Sequence, residues 1–287
     1  MVERVGFIGL GDMGEPMARN LCGGAFEVSV FDLRAEIARE VAAAGAYAAA
    51  SAREVGERAE VVGICVIDDA ATEAVVEEVL AGAAPGTILA IHGTVSPALV
   101  HRLGAHAEAA GCELVDAQVT GGRDRASEHQ LRYMVGGSDA AVARCRPVFA
   151  TSAAEVTHCG PLGSGAVAKL CNNLVQFQAW HGYLEAAQLA DAAGLPREKL
   201  LEVLSWIMND NARAFLAGRS ALVAHPELDV IRERFTAVAE LARKDLQLAL
   251  DVAAEHDLPM PLTQRSLEQV EDLFGVLGGG SDRSKRR

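Results

Sequence analysis

Lys169, Asn172, Asn173 and Gln176 follow one another at i, i+3, i+4 and i+7, the spacing that lines side chains along one face of a helix. The residues around them, among them Ala166, Val167, Ala168, Leu170 and Leu174, are largely apolar. A lone lysine on a helix is usually a solvated charge. A lysine stacked with amides, in a helix that opens at a change in composition, is a candidate for exchanging a proton with a substrate. A second segment, Asp116-Ala117-Gln118-Val119-Thr120-Gly121-Gly122, places a hydroxyl and two glycines at the end of a strand pattern. Ligands of open α/β sheets sit at that carboxyl end. The Thr120 hydroxyl and the Gly121 and Gly122 amides suit a carboxylate; the plain alternative is a strand-ending turn.

Near the start of the chain, Gly9-Leu10-Gly11-Asp12-Met13-Gly14 has the spacing G-x-G-x-x-G. It follows an apolar strand pattern and opens a helical one. In that setting Gly9 makes the tight turn, Gly11 admits backbone to a pyrophosphate, and Gly14 lets helix pack on strand. The helix N-terminus then offers amides and positive dipole to the phosphates. Asp32 ends the next strand pattern, where a carboxylate accepts from both ribose hydroxyls of NAD and repels the extra phosphate of NADP. Arg34 partly offsets that repulsion. The expected cofactor is NAD, with NADP the less favoured choice.

Elements must hold these residues. Short β-rich runs, Val5–Ile8, Val28–Phe31, Val61–Val66, Thr87–Ile91 and Glu113–Ala117, alternate with helical patterns at Pro16–Leu21, Ala35–Ala44, Ala70–Leu80 and Pro97–Ala110. Apolar strands separated by helices predict an α/β domain, a Rossmann-type doubly wound parallel sheet covered on both faces. Gln130–Val135 and Glu155–Cys159, with a helix from Ser138 between them, read as an extension of that sheet. After Gly160-Pro161-Leu162-Gly163 the character changes. Ser164 to Ala193 reads as one long helix stopped by Gly194-Leu195-Pro196. Helical patterns follow at Glu198–Ile207, Ile231–His256 and Thr263–Leu273. The expected organisation is a dinucleotide-binding domain over 1–163, an all-α substrate and dimerisation domain over 164–277, and a disordered basic tail over 278–287.

Composition excludes several function classes. The chain has 287 residues, half of them hydrophobic and 23% charged, which is ample material for a buried core and unlike a disordered chain. Its formal net charge of −13 repels a phosphate backbone, so nucleic acid is not an expected partner. No apolar run is long enough to cross a bilayer, and no membrane partner or signal peptide is expected. The basic cluster Arg283-Ser284-Lys285-Arg286-Arg287 reads as a solvated tail. Six cysteines without a CxxC pair read as small buried hydrophobes of a reducing compartment, hence the cytoplasm, and the histidine spacings predict no metal site.

Taken together, these segments resemble the β-hydroxyacid dehydrogenase family, which includes 3-hydroxyisobutyrate dehydrogenase, tartronate semialdehyde reductase and, more distantly, 6-phosphogluconate dehydrogenase. Gly6–Gly14 is similar to its cofactor motif, Asp116–Gly122 to its substrate motif D-A-P-V-S-G-G, and Gly163–Asn173 to its helix G-x-G-x-x-x-K-x-x-N-N. The resemblance places the catalytic lysine on Lys169, has Asn173 orient the reacting oxygen, and has Thr120, Gly121 and Gly122 anchor the substrate carboxylate. It brings Leu10, Asp12, Met13, Val66, Ile67 and Thr94 to the cofactor, Thr94 matching the threonine beside the nicotinamide ribose. Lys244, in Lys244-Asp245-Leu246, matches the C-terminal K-D-L segment that closes over cofactor and substrate. A homodimer or higher homo-oligomer is implied. The implied activity is NAD-linked hydride transfer to or from a small 3-hydroxy acid, its 3-oxo acid or semialdehyde.

The departures from the family's pattern fall around the substrate. Gln118 replaces the usual proline and Thr120 the usual serine, while Val66-Ile67 replaces a leucine-proline pair. In the next loop Arg125 and His129 stand where small residues are usual. Arg123, Arg125 and His129 therefore either reach the far end of the substrate or are surface residues. Two rival functions stand beside the dehydrogenase. One is an NAD(P)-linked reductase of imines or other non-acid carbonyls, against which the retained Lys169 and Asn173 argue. The other is a catalytically idle NAD-binding regulatory protein.

Overall fold

The computed structural model describes residues 2–23, 25–225 and 229–276; the basic segment Arg283–Arg287 and the expected tail lie outside the described residues. The chain divides into two compact units, Met1–Lys169 and Leu170–Arg287. The division falls inside a long helix, whereas the sequence places it at that helix's start.

The first unit alternates strand and helix: β1 (Arg4–Ile8), α1 (Gly14–Cys22), β2 (Glu27–Phe31), α2 (Ala35–Ala42), β3 (Tyr47–Ala48), α3 (Ala52–Arg58), β4 (Val61–Ile64), α4 (Asp69–Leu80), β5 (Ile88–Ile91) and α5 (Pro97–Ala109). It continues with β6 (Glu113–Thr120), α6 (Gly122–Ser127), β7 (Leu131–Gly136), α7 (Asp139–Phe149) and β8 (Ala153–Gly160), after which α8 (Ser164–Ala192) begins. The sheet runs β3-β2-β1-β4-β5-β6-β7-β8. Strand order reverses between β1 and β4, the switch point at which such sheets bind ligands. β4 and β5 are buried along their whole length, because helices cover both faces. Alternate residues serve the two cores: Val5 and Phe7 face one, Ile8, Val62 and Ile64 the other.

Two features correct the sequence reading. β7 runs antiparallel to β6, pairing Asp116 with Gly136 and Thr120 with Arg132, while β8 is parallel to β7. The link from β6 to β7 is shorter than a parallel crossover needs, and α7 supplies the longer connection that a parallel β8 requires. The cysteines also divide: Cys112 and Cys145 are buried, but Cys22, Cys65 and Cys159 are only partly so and Cys171 is exposed; all six are free thiols.

A buried histidine just after β5 ties that strand's end to the middle of β6. His92 stacks on Phe7, with ring centroids 5.7 Å apart, and its Nδ1 lies 2.8 Å from the Ala117 carbonyl oxygen. Burial pushes its pKa down from 6.5 to about 4, so the ring is neutral and Nδ1–H is the donor. The unfolded chain takes up a proton between those pH values that the folded chain refuses, so stability falls as pH drops through 6.5 toward 4. At about pH 5 the loss is about 2 kcal/mol. Urea unfolding from about pH 7 to 5 is expected to show this slope and to lose it in His92→Gln; an unchanged slope in the variant counts against His92 as its source.

The described residues of the second unit form helices only: the remainder of α8, then α9 (Arg197–Leu204), α10 (Asp210–Ala224), α11 (Asp229–Glu255), α12 (Pro261–Glu268) and α13 (Val270–Phe274). Trp180 stacks on Phe215 at 4.5 Å, and Phe274 meets both edge-on. Phe177 and Trp180 continue the stripe of α8 that starts at Asn173, and all three are buried. The single helix expected over Thr263–Leu273 is broken at Gln269, whose φ of −109° and ψ of 9° separate α12 from α13.

Candidate active site

The glycine-rich loop lies where β1 ends, at the switch point. Gly9 has φ +88°, and a Cβ there would stand 2.3 Å from the Cys65 carbonyl oxygen; one on Gly14 would stand 1.9 Å from the Gly9 carbonyl oxygen. Both glycines are therefore required by the packing of the protein itself. Gly11 differs, since a Cβ on it meets nothing within 4 Å. Helix α1 starts without a side-chain cap, as do α2 and α6. α3, α4, α5 and α7 are capped by the side chains of Ser51, Asp68, Ser96 and Ser138. Met13 at the start of α1 makes no such bond. An open glycine before an uncapped helix end fits a pyrophosphate group, and these residues suit a bound dinucleotide.

Asp32 follows β2 beside this loop. Its Oδ2 accepts the Leu10 amide at 2.7 Å, and its Oδ1 accepts the Arg34 amide at 2.9 Å and Nε at 3.1 Å. Burial alone would push its carboxyl up. The Arg34 side-chain and amide bonds, the Leu10 amide and the Arg34 charge outweigh it and hold the group below the ordinary aspartate value. It is a fixed carboxylate. Arg34, whose guanidinium also reaches the Leu10 carbonyl oxygen at 3.4 Å, is drawn toward that carboxylate.

Four more predicted positions lie at the same edge of the sheet. Val66 and Ile67 follow β4, Thr94 follows β5, and Thr120 ends β6. The first two loops touch: a Cβ on Gly93 would stand 2.6 Å from the Val66 carbonyl oxygen. The Ser96 hydroxyl also donates to Asp69 at 2.6 Å, joining the helices that follow those loops. Gly121 and Gly122, with φ of +141° and +80°, turn the chain from β6 into α6, a helix where the sequence suggested a loop. Gln118 is fully buried, its Nε2 donating to the Gly93 carbonyl oxygen at 3.4 Å. Of the substituted loop residues, Arg123 pairs with Glu15 and Asp12 of the dinucleotide segment, and His129 Nδ1 meets the Thr151 carbonyl oxygen at 2.6 Å.

Asp116, which the sequence reading passed over, holds the start of the lysine-bearing helix. Its Oδ1 accepts the Gly163 amide at 2.8 Å and its Oδ2 the Ala166 amide at 2.7 Å. Burial pushes its carboxyl above the ordinary aspartate value against the pull of those amides. Gly165 must be glycine because a Cβ would lie 2.5 Å from the Asp116 carbonyl oxygen. Lys169 stands about one turn further along α8 and closes the first unit.

Asn173 lies one turn beyond Lys169 on α8 and belongs to the second unit. It is buried, and its amide is fixed at both ends: Oδ1 accepts from Asn172 at 3.0 Å, and Nδ2 donates to Asp245 Oδ2 at 2.6 Å. Asp245 sits on α11, itself buried, with its Oδ1 3.7 Å from Lys244 Nζ. Asp245 thus joins Asn173 and Lys244. The sequence signal was its place in the Lys244-Asp245-Leu246 segment. Among the described residues no three His, Cys, Asp or Glu side chains gather as a metal-binding group, and no helix is long and apolar enough to cross a membrane.

Known proteins are similar to this chain in sequence and in fold. A family model described as the NAD binding domain of 6-phosphogluconate dehydrogenase matches residues 4–160. Another, described as the NAD-binding region of NADP-dependent 3-hydroxyisobutyrate dehydrogenase, matches residues 163–286. An uncharacterized oxidoreductase of Mycobacterium tuberculosis is 34% identical over 278 residues, covering 95% of this chain and 94% of its own. The NAD-dependent L-serine dehydrogenase of Pseudomonas aeruginosa is 33% identical over 285 residues, covering 93% and 90%. The solved structure of Mycobacterium tuberculosis 3-hydroxyisobutyrate dehydrogenase with L-serine superimposes with a TM-score of 0.82 at 30% identity, covering 96% of this chain and 94% of that one.

Proposed function

We propose, from the premise that this chain belongs to the β-hydroxyacid dehydrogenase family and is an NAD-binding oxidoreductase, that it moves a hydride between NAD and a small 3-hydroxy acid or its 3-oxo acid or semialdehyde. The observation that carries the reading is the Asn173 amide, held 2.6 Å from buried Asp245 one helical turn beyond Lys169. A fixed amide there suits the orientation of a reacting oxygen, which a protein that merely binds the cofactor does not require. Bound NAD supplies the hydride acceptor. Lys169 takes the hydroxyl proton in oxidation and returns it in reduction. Thr120, Gly121 and Gly122 hold the carboxylate, and Lys244 closes on substrate and cofactor. Turnover of a panel of 3-hydroxy acids with NAD, followed as NADH formation, tests the reading; no activity across the panel, with cyclic imines reduced instead, overturns it.

Cofactor choice follows from Asp32. With Arg34 already bonded to that carboxylate, little positive charge is left for a ribose phosphate. NAD is expected to exceed NADP in kcat/KM by about tenfold or more, about 1.4 kcal/mol. Equal efficiency with the two cofactors would overturn this assignment.

The reaction is expected to stop at hydride transfer. Loss of carbon dioxide from a 3-oxo acid leaves an enol that needs a second acid to protonate it. The decarboxylating relatives keep a glutamate two turns beyond the lysine, where this chain has Gln176, an amide that donates no carboxylic proton. Glu185 on α8 lies about 24 Å from Lys169 along the helix axis. Trapping the 3-oxo acid as it forms checks this; carbon dioxide released in step with NADH would count against it. A homodimer or higher homo-oligomer is part of the same proposal, supported by the second unit's exposed apolar side chains, such as Trp206 at 81% and Ile207 at 73%. The six free cysteines suit a reducing compartment, here proposed to be the cytoplasm.

A further inference from the structure

We propose that Arg123 is a positioning residue through which a bound dinucleotide orders the Gly121–Gly122 turn; the inference rests on the reading of that turn as the substrate's carboxylate anchor. Arg123 follows Gly122 directly, on α6. Its guanidinium pairs with the Glu15 carboxylate, donates to the Asp12 carbonyl oxygen at 3.3 Å, and lies 3.7 Å from Asp12 Oδ1. Asp12 belongs to the glycine-rich loop and Glu15 to the first turn of α1, the end that takes the pyrophosphate. A second bond joins the same two helices, from Asn20 Nδ2 to the Ala126 carbonyl oxygen at 2.8 Å.

The tether bears on the Gly122 half of the turn, since Gly121 is already packed, a Cβ there standing 3.0 Å from Leu131. Gly121 and Gly122 occupy backbone conformations open mainly to glycine, and a Cβ on Gly122 would meet nothing within 4 Å. Neighbouring side chains therefore do little to fix Gly122. The tether in turn responds to the cofactor. Glu15 carries a negative charge beside the phosphate-binding amides, and Arg19 and Arg123 both bond to it. A pyrophosphate arriving there adds negative charge within a Debye length of Arg123 and strengthens the hold on its guanidinium. Binding free energies are reciprocal, so a carboxylate seated on the turn must tighten NAD by the same factor. An arginine that only neutralised Glu15 would change NAD affinity and leave the turn unaffected.

Hydrogen exchange of the full chain with NADH alone separates these roles without needing a substrate. Exchange over residues 121–127 is expected to slow about fivefold or more on NADH binding in the wild type. Arg123→Met should still bind NADH and lose that slowing. Glu15→Gln should lose it as well, and the double variant should lose no more than either single one, because the two groups act as a pair. With 3-hydroxypropionate as probe substrate, Arg123→Met should raise KM about tenfold and leave kcat within about twofold. Slowing that persists in Arg123→Met, no slowing in the wild type, or additive losses in the double variant would overturn the proposal. The exchange result stands apart from turnover, so a failed dehydrogenase assignment and a failed tether give different outcomes.

Discussion

Lys169→Ala is expected to lower kcat by ~10²–10⁴-fold, the usual worth of a positioned acid–base group, while the Kd for NADH stays within about twofold. The separation follows from where the contacts lie. The proposed dinucleotide segment is built from Gly9, Gly11, Gly14 and Asp32, and Asp32 is bonded to the Leu10 amide and to Arg34. The start of α8 remains held by Asp116 and the Asn173 amide by Asp245. Losing an interaction made only in the transition state lowers kcat and kcat/KM together. If KM alone rises, the lysine binds carboxylate and moves no proton. If most activity survives, another group carries the proton.

Gly11→Ala is expected to fold as the wild type does and to bind NADH about 100-fold more weakly, about 2.7 kcal/mol. Alanine at Gly9 or Gly14 would collide with backbone, so their effects on folding and binding cannot be separated. At Gly11 the added methyl meets no protein atom, and the residue is not among the glycines with positive φ. Unfolding free energy should therefore stay level or rise by about 0.4–1 kcal/mol through the unfolded state. The methyl would project into the space proposed for the pyrophosphate. A variant that binds NADH normally would mean that the cofactor lies elsewhere; one that unfolds would mean that the space is not open.

Local chemistry made much of this protein legible in its residues. β1, β2 and β5 announce themselves as short apolar runs because sheets covered on both faces need such strands. The glycine loop is legible because its spacing has mechanical reasons. β3 is not, since two residues carry no periodicity, and α3 is short and interrupted by Gly56, which packs against the Val79 carbonyl oxygen. α6 is hidden by two glycines and a cluster of charges that read as loop. The bonds made by Asp116 and Asp245 escape sequence patterning for a different reason: their partners lie 47 and 72 residues away. No local window contains both halves of such a bond, and the same holds for the pairing of Arg123 with Glu15.

The Asp116 cap on α8 also sets an order in time. Gly163, the first of its amide partners, emerges from the ribosome 47 residues after Asp116, about 2–9 s later at ordinary rates of synthesis. Within that interval β6 can settle beside β5, its partner made earlier, so the carboxylate is in place before the helix that depends on it exists. β7 and β8 are completed in the same interval. Nascent α8 then meets an acceptor already fixed in space, and its first turn has no need to wait for the helices that follow. A circular permutant starting at Ser164 would reverse this sequence of events, synthesising the helix before its cap, and would test whether the cap guides folding or only completes it.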